Sequence, residues 1–130
     1  MCLESKTIFP KIAKEDIICY KVIDIKGYSV YNRSYQYDEH KINKANGGSR
    51  LIKDILFYFF YRKKYSSFAY VFGILHSFAF KGYALNLFNN LRKDNSYTIW
   101  ECVIPKGSLY FEGYYNEYGS RKLKLVRRIC

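Results

Sequence analysis

Residues 98 to 129 constrain the fold most. Thr98-Ile99-Trp100-Glu101-Cys102-Val103-Ile104 has the β-branched and aromatic density of a strand. Pro105-Lys106-Gly107-Ser108 stops it with turn residues. Leu109-Tyr110-Phe111 then leaves as a second strand, and Lys122 to Ile129 closes the segment as a third, basic one. Connections this short leave no room for a crossover helix, so the pairing is expected to be antiparallel.

The remainder of the chain is read against that segment. Ile17-Ile18-Cys19-Tyr20-Lys21-Val22-Ile23-Asp24-Ile25 is β-branched and predicts a central strand, turned at Lys26-Gly27. Tyr28 to Tyr37 continues with alternating aromatics, so a hairpin is expected. Residues 38 to 50 read as a polar loop. Its Gly47-Gly48-Ser49 suits either a flexible loop or a backbone anion nest, but lacks the lysine spacing of a phosphate loop. Leu51, Ile52, Ile55, Leu56, Phe59 and Phe60 follow helical spacing over 50 to 62, with Arg62-Lys63-Lys64 at its end. Phe68 to Leu75 is a strand candidate broken by Gly73, and His76-Ser77-Phe78 follows. Tyr83, Ala84, Leu87, Phe88 and Leu91 form the stripe of a second helix over 80 to 93. Glu112 to Gly119 reads as a loop.

A length of 130 residues suits one domain, 1–130, large enough for a real core. Together these elements predict a single α+β domain: a twisted, mainly antiparallel sheet packed by about two helices. The aromatic share is 20%, with 15 Tyr and 10 Phe, more than so short a chain can hide, so homo-oligomerisation is expected. Lys and Arg number 22 against 11 Asp and Glu, a net charge of +11, and such a field attracts anions.

The cysteines, Cys2, Cys19, Cys102 and Cys130, form no Cys-x-x-Cys pair, and only two histidines are present. No metal and no cofactor are expected from that set. The sequence shows no secretory leader pattern and no apolar run long enough for a membrane span. Free thiols and a cytoplasmic location are the resulting expectation.

No spacing of acids marks a carboxylate pair, and nothing orients a Cys/His nucleophile. The candidate binding residues are therefore basic, polar and aromatic. His76 and Ser77 are expected at a strand-to-helix junction, where a ligand meets helix-terminal N–H groups; a semi-buried structural imidazole fits the same residues. Lys106 and Ser108 either lean over a ligand held against Tyr110 or merely belong to a tight turn. Ser120 to Arg128 holds five basic residues and no acid, and Leu123 and Leu125 alternate with Lys122 and Lys124. Arg121, Lys122 and Lys124 make either a phosphate strip, with Tyr114, Tyr115 and Tyr118 near enough to stack on bases, or a charged edge that deters sheet pairing.

Several stretches together resemble a family of small uncharacterised proteins of gut bacteria and their phages. They are Met1-Cys2-Leu3, Cys19-Tyr20-Lys21-Val22, His76-Ser77-Phe78, Cys102 to Ser108 with Tyr110, and Tyr118-Gly119-Ser120 with Leu123 and Leu125. The resemblance covers most of the chain outside residues 38 to 65. A phage origin implies a role such as sequestering a nucleotide immune signal in the host bacterial cytoplasm. The late Ile104-Pro105-x-Gly107 turn before a strand is also similar to ADP-ribosyltransferase folds, whose first-strand Arg or His falls near Tyr20-Lys21. That family's catalytic Glu has no counterpart in Arg121 to Leu125; Glu117 lies just before and Glu112 further back. The resemblance then implies a degenerate member that keeps a dinucleotide-like ligand. The expected function is non-enzymatic binding of an anionic nucleotide-type ligand, with nucleic-acid binding or diverged ADP-ribosyl transfer as alternatives.

Overall fold

The computed structural model describes residues 3–6, 10–30, 35–45, 69–71, 74–91 and 96–130. The chain begins with the short strands β1 (Leu3–Ser5) and β2 (Lys11–Ile12), then the long β3 (Ile17–Asp24). β4 (Ile42–Lys44), β5 (Ala69–Val71) and β6 (Leu75–Phe78) follow, then the helix α1 (Lys81–Leu91). β7 (Tyr97–Ile104), β8 (Leu109–Glu112), β9 (Glu117–Ser120) and β10 (Lys122–Arg128) complete the order. Eight strands make one sheet, β2-β8-β9-β6-β3-β7-β10-β4, and β1 pairs with β5. Every pair among the described residues is antiparallel, as the short connections require.

The strand order forces a closed shape. In a flat sheet the four steps from β9 to β10 would separate them by about 19 Å, at about 4.8 Å per step. Only Arg121 stands between them in the chain, and two residues reach about 7 Å at most. The sheet therefore rolls until β9 and β10 meet, and Ser120-Arg121-Lys122 is the bend of one strand shared by both ends of a barrel. Arg121 marks the seam. Its N–H donates to the Leu109 carbonyl at 3.0 Å, and its own carbonyl accepts from Ala45 N–H at 2.8 Å. A bulge between Leu125 and Arg127 sharpens the curvature of β10.

The barrel's inner face carries Cys19, Ile23, Leu75, Cys102, Ile104, Leu123 and Leu125, with Tyr110, Tyr118 and Trp100 packed against them. Each fully buried Leu or Ile contributes roughly 1.5–3 kcal/mol. On the outer face, Val22 and Ile99 meet Ala84 of α1, with Leu87, Phe88 and Leu91 beside it. Those four helix residues lie at i, i+3, i+4 and i+7, so the stripe is real. Tyr83 departs from it: it is exposed, and its hydroxyl accepts from Asn116 Nδ2 at 2.9 Å.

Several sequence expectations are adjusted. The helix expected over 80 to 93 is α1; the one expected over 50 to 62, like Gly47-Gly48-Ser49 and Arg62-Lys63-Lys64, lies outside the described residues. The fold is thus a mainly antiparallel, barrel-like sheet with one helix among the described residues. The loop expected over 112 to 119 shrinks to a tight turn. β8 runs through Glu112, β9 starts at Glu117, and Asn116 takes the left-handed φ of 54° that Asn tolerates. Residues 42–44 of the expected polar loop form the edge strand β4, because Asn43 donates to the Leu123 carbonyl at 3.2 Å and to the Asp38 carbonyl at 3.0 Å. Of the strand expected over Tyr28 to Tyr37, the described residues show isolated bridges, Ile23 to Ser29 and Tyr28 to Gln36. No helix among the described residues is long and apolar enough to cross a membrane.

Candidate functional site

β3 alternates like any strand, so Cys19, Lys21 and Ile23 all point into the barrel. Lys21 is 3% exposed, a position lysine almost never takes. Its Nζ donates to the His76 carbonyl oxygen at 2.5 Å and sits 4.9 Å from the Tyr37 ring centroid. Burial lowers its pKa to about 8, with the thiols of Cys102 and Cys19 pulling the other way. Cys19 and Cys102 stand directly opposite each other on β3 and β7, both buried and free. A hydrogen bond with Cys102 lowers the Cys19 thiol, helped by Ser77 and Lys21, while the same bond and burial push Cys102 well above the usual range.

Tyr37 connects this interior to a cleft of about 870 Å³ at the barrel mouth. Trp100, Leu125 and Ile23 form its floor, Tyr35 and Gln36 one wall, and Lys26, Lys41, Lys44 and Arg128 its cationic rim. The Trp100 ring is held by Nε1 donating to Thr98 Oγ1 at 3.1 Å. The cleft's acids are largely engaged locally. Asp24 Oδ1 accepts from the Lys26 and Tyr28 N–H groups at 2.9 Å each. Asp38 Oδ1 accepts from His40 N–H at 2.8 Å, and its other oxygen is 3.8 Å from Lys41. Among the described residues the ammonium groups of Lys26 and Lys44 have no carboxylate partner.

The candidate residues do not converge on one place. Lys21 and Ser77 share the barrel interior, whereas His76 offers Lys21 only its carbonyl and turns its ring to the helix side with Phe78. His76 sits within β6 rather than at a junction, and its Nε2 pairs with Glu117 on the neighbouring β9. Burial lowers its pKa, opposed by Glu117, so the ring is a satisfied internal group. Ser77 is fully buried beside Cys19. Tyr20 lies on the opposite face of β3, across from Phe78 and against the helix cluster.

Lys106 and Ser108 stand apart from these. The Ser108 N–H donates to Pro105 at 3.0 Å, which makes Pro105 the first turn residue and puts Gly107, at φ +87°, third. That is a type II turn, in which the third position needs a positive φ. Lys106 is exposed, its N–H held by Asp16 Oδ1 at 2.8 Å. Ser108 is buried at 4% exposure, and its Oγ meets no hydrogen-bond partner among the described residues. Tyr110 packs edge-on against Tyr118, with ring centroids 6.0 Å apart.

Arg121 holds the barrel seam through its guanidinium, which donates to the Ala45 carbonyl at 3.0 Å. Lys122 and Lys124 are exposed on the outer face of β10, which is an internal strand with β4 outside it. Lys122 stands directly opposite Lys44, an unfavourable like-charge pair. Sequence reading passed over the cleft because Trp100, Tyr35, Lys26 and Lys44 lie far apart in the chain and share no periodicity. The exposed lysine of a turn and an unpaired Trp in a strand were the only local hints. Comparison with protein-family models, curated proteins and solved structures finds no match to this chain.

Proposed function

We propose that the chain binds an anionic, planar ligand of nucleotide type, without chemical turnover, in the cleft floored by Trp100. The observation that carries this is the pairing of Trp100 and Tyr35 with Lys26, whose ammonium has no carboxylate partner among the described residues, in one cleft of about 870 Å³. That size suits a mononucleotide or small dinucleotide. Aromatic faces stack on any base, and ammonium groups neutralise phosphate.

The test is mass spectrometry of small molecules released by heat from purified protein after exposure to cell lysate. A nucleotide released from the native chain, and not from Trp100→Ala, is the expected result. Protein that emerges empty in every lysate sinks the reading.

A second reading is favoured by Lys44, Lys122, Lys124 and Arg127, which share the outer face by register. This row suits the backbone of a nucleic acid. It predicts affinity that falls steeply with salt, whereas a ligand in the cleft responds weakly. Exposed Phe80, Tyr83 and Tyr115 support self-association, which sedimentation velocity would read directly.

A further inference from the structure

We propose that Cys19 and Cys102 are a reversible dithiol that a hydroperoxide converts to a cross-strand disulfide inside the barrel. The two residues are register partners on β3 and β7 and face the same side of the sheet. Direct cross-strand partners have Cα atoms about 4.5–5.5 Å apart, within the range of about 4.4–6.8 Å that a disulfide accepts. At that separation the bond can form without displacing either strand.

The surroundings divide the labour between the two thiols. The Lys21 ammonium, on the same inward face two residues along β3, favours a thiolate on Cys19. The Cys102 thiol donates to the Trp100 carbonyl at 3.5 Å and keeps its proton. A nucleophilic sulfur beside a resolving one is the arrangement that redox-sensing cysteines share. Both thiols are fully buried. The cleft comes close: Trp100, two residues along β7, and Leu125, opposite Cys102 on β10, both line it, so a small peroxide needs only local opening there.

The chemistry balances with one peroxide. The Cys19 thiolate attacks a peroxide oxygen, the O–O bond breaks, and the leaving hydroxide takes a proton to become water. Cys19 is then a sulfenic acid. Cys102 loses its proton and attacks that sulfur, the S–O bond breaks, and a second water leaves. The two sulfurs are oxidised by two electrons and the peroxide is reduced by the same two. A small dithiol reductant reverses the change.

The experiment treats the full native chain with hydrogen peroxide, then unfolds and alkylates it for mass spectrometry. The expected product is lighter by two hydrogens, with Cys19 and Cys102 joined in one non-reduced peptide pair and Cys130 alkylated. Dithiothreitol restores both thiols. Oxidation confined to Cys130, or scrambled pairs of all four cysteines, overturns the proposal. In folded Cys102→Ser, Cys19 is expected to stall as a sulfenic acid trapped by dimedone; no trapping there also overturns it. Lys21→Met slows formation about tenfold at neutral pH, and an unchanged rate removes the lysine from the mechanism.

Discussion

β3 and β10 both set lysine among aliphatic residues, one in β3 and two in β10, yet they use it in opposite ways. On β10, Lys122 and Lys124 face solvent and Leu123 and Leu125 fill the core. On β3, Lys21 occupies an inward position between Cys19 and Ile23, where apolar residues would be expected. The difference lies in the neighbours. β10 has one solvated face, so its pattern reads directly as inside and outside. β3 lies mid-sheet with α1 on one side and the barrel interior on the other, so from Cys19 to Asp24 no position is fully outside, and only Ile18 near its start is exposed. A lysine there survives only because a carbonyl, a ring and thiols surround its amine.

The largest effect that tests this contrast is on β10 itself. Leu123→Ala leaves a cavity at a fully buried position and is expected to cost about 2–5 kcal/mol in denaturant unfolding. An effect below 1 kcal/mol, on the order of a surface change, would break the inside–outside assignment.

Lys21 gives the next effect, read in pH. Its folded pKa of about 8 lies below its ordinary value of 10.5, so between these values the unfolded chain holds a proton that the folded chain has released. Stability therefore rises with pH across that window, by about 3 kcal/mol in full. Cys19 shifts in the same direction, while the raised thiol of Cys102 opposes it above about pH 9, where the unfolded thiol releases a proton that the folded one keeps. Above about pH 10 Tyr37 opposes the gain, since burial makes it keep a proton that the unfolded chain loses. Chemical denaturation from pH 8 to 10 should show the rise in the native chain and a much smaller one in Lys21→Met. At the acid end His76 acts alike: its lowered pKa means stability falls as pH drops through 6.5.

Two turns offer a finer version of the comparison. Gly27 and Gly107 both take positive φ, at 94° and 87°. A Cβ on Gly27 would lie 2.8 Å from the Tyr37 carbonyl oxygen, whereas one on Gly107 meets nothing within 4 Å. Gly27→Ala should cost about 2 kcal/mol or more, and Gly107→Ala about 1 kcal/mol, from backbone strain alone. Equal thermal shifts would show that the wall of the cleft yields to Tyr37. The smallest effect belongs to Lys124→Ala, expected within about 0.5 kcal/mol of native stability, with any loss confined to anion binding.

Much of this architecture is legible locally. The spans of β3, β7 and β10, the turn at Gly107 and the stripe of α1 follow from period-two and period-3.6 patterns and from turn chemistry. The candidate site was not legible in the same way. His76 and Ser77 read as a junction because Gly73 and the following helix suggested one, yet β6 starts only at Leu75 and carries both residues into the sheet. Tyr20 and Lys21 are candidate binding residues from sequence only through the resemblance to ADP-ribosyltransferase folds; the burial of Lys21 is decided once β6 and β7 are placed on either side of it.

The sequence by itself determined which residues alternate, where the strands turn and that neighbours pair antiparallel, because those depend on a few adjacent residues. Only the tertiary structure decided that β9 and β10 are one bent strand closing a barrel. That closure sets three things together: Lys21 beside two thiols, a cleft floored by Trp100, and the lysines of β10 outside. Pairing partners far apart in the chain are chosen by the packing of the whole sheet, and no local period encodes that choice.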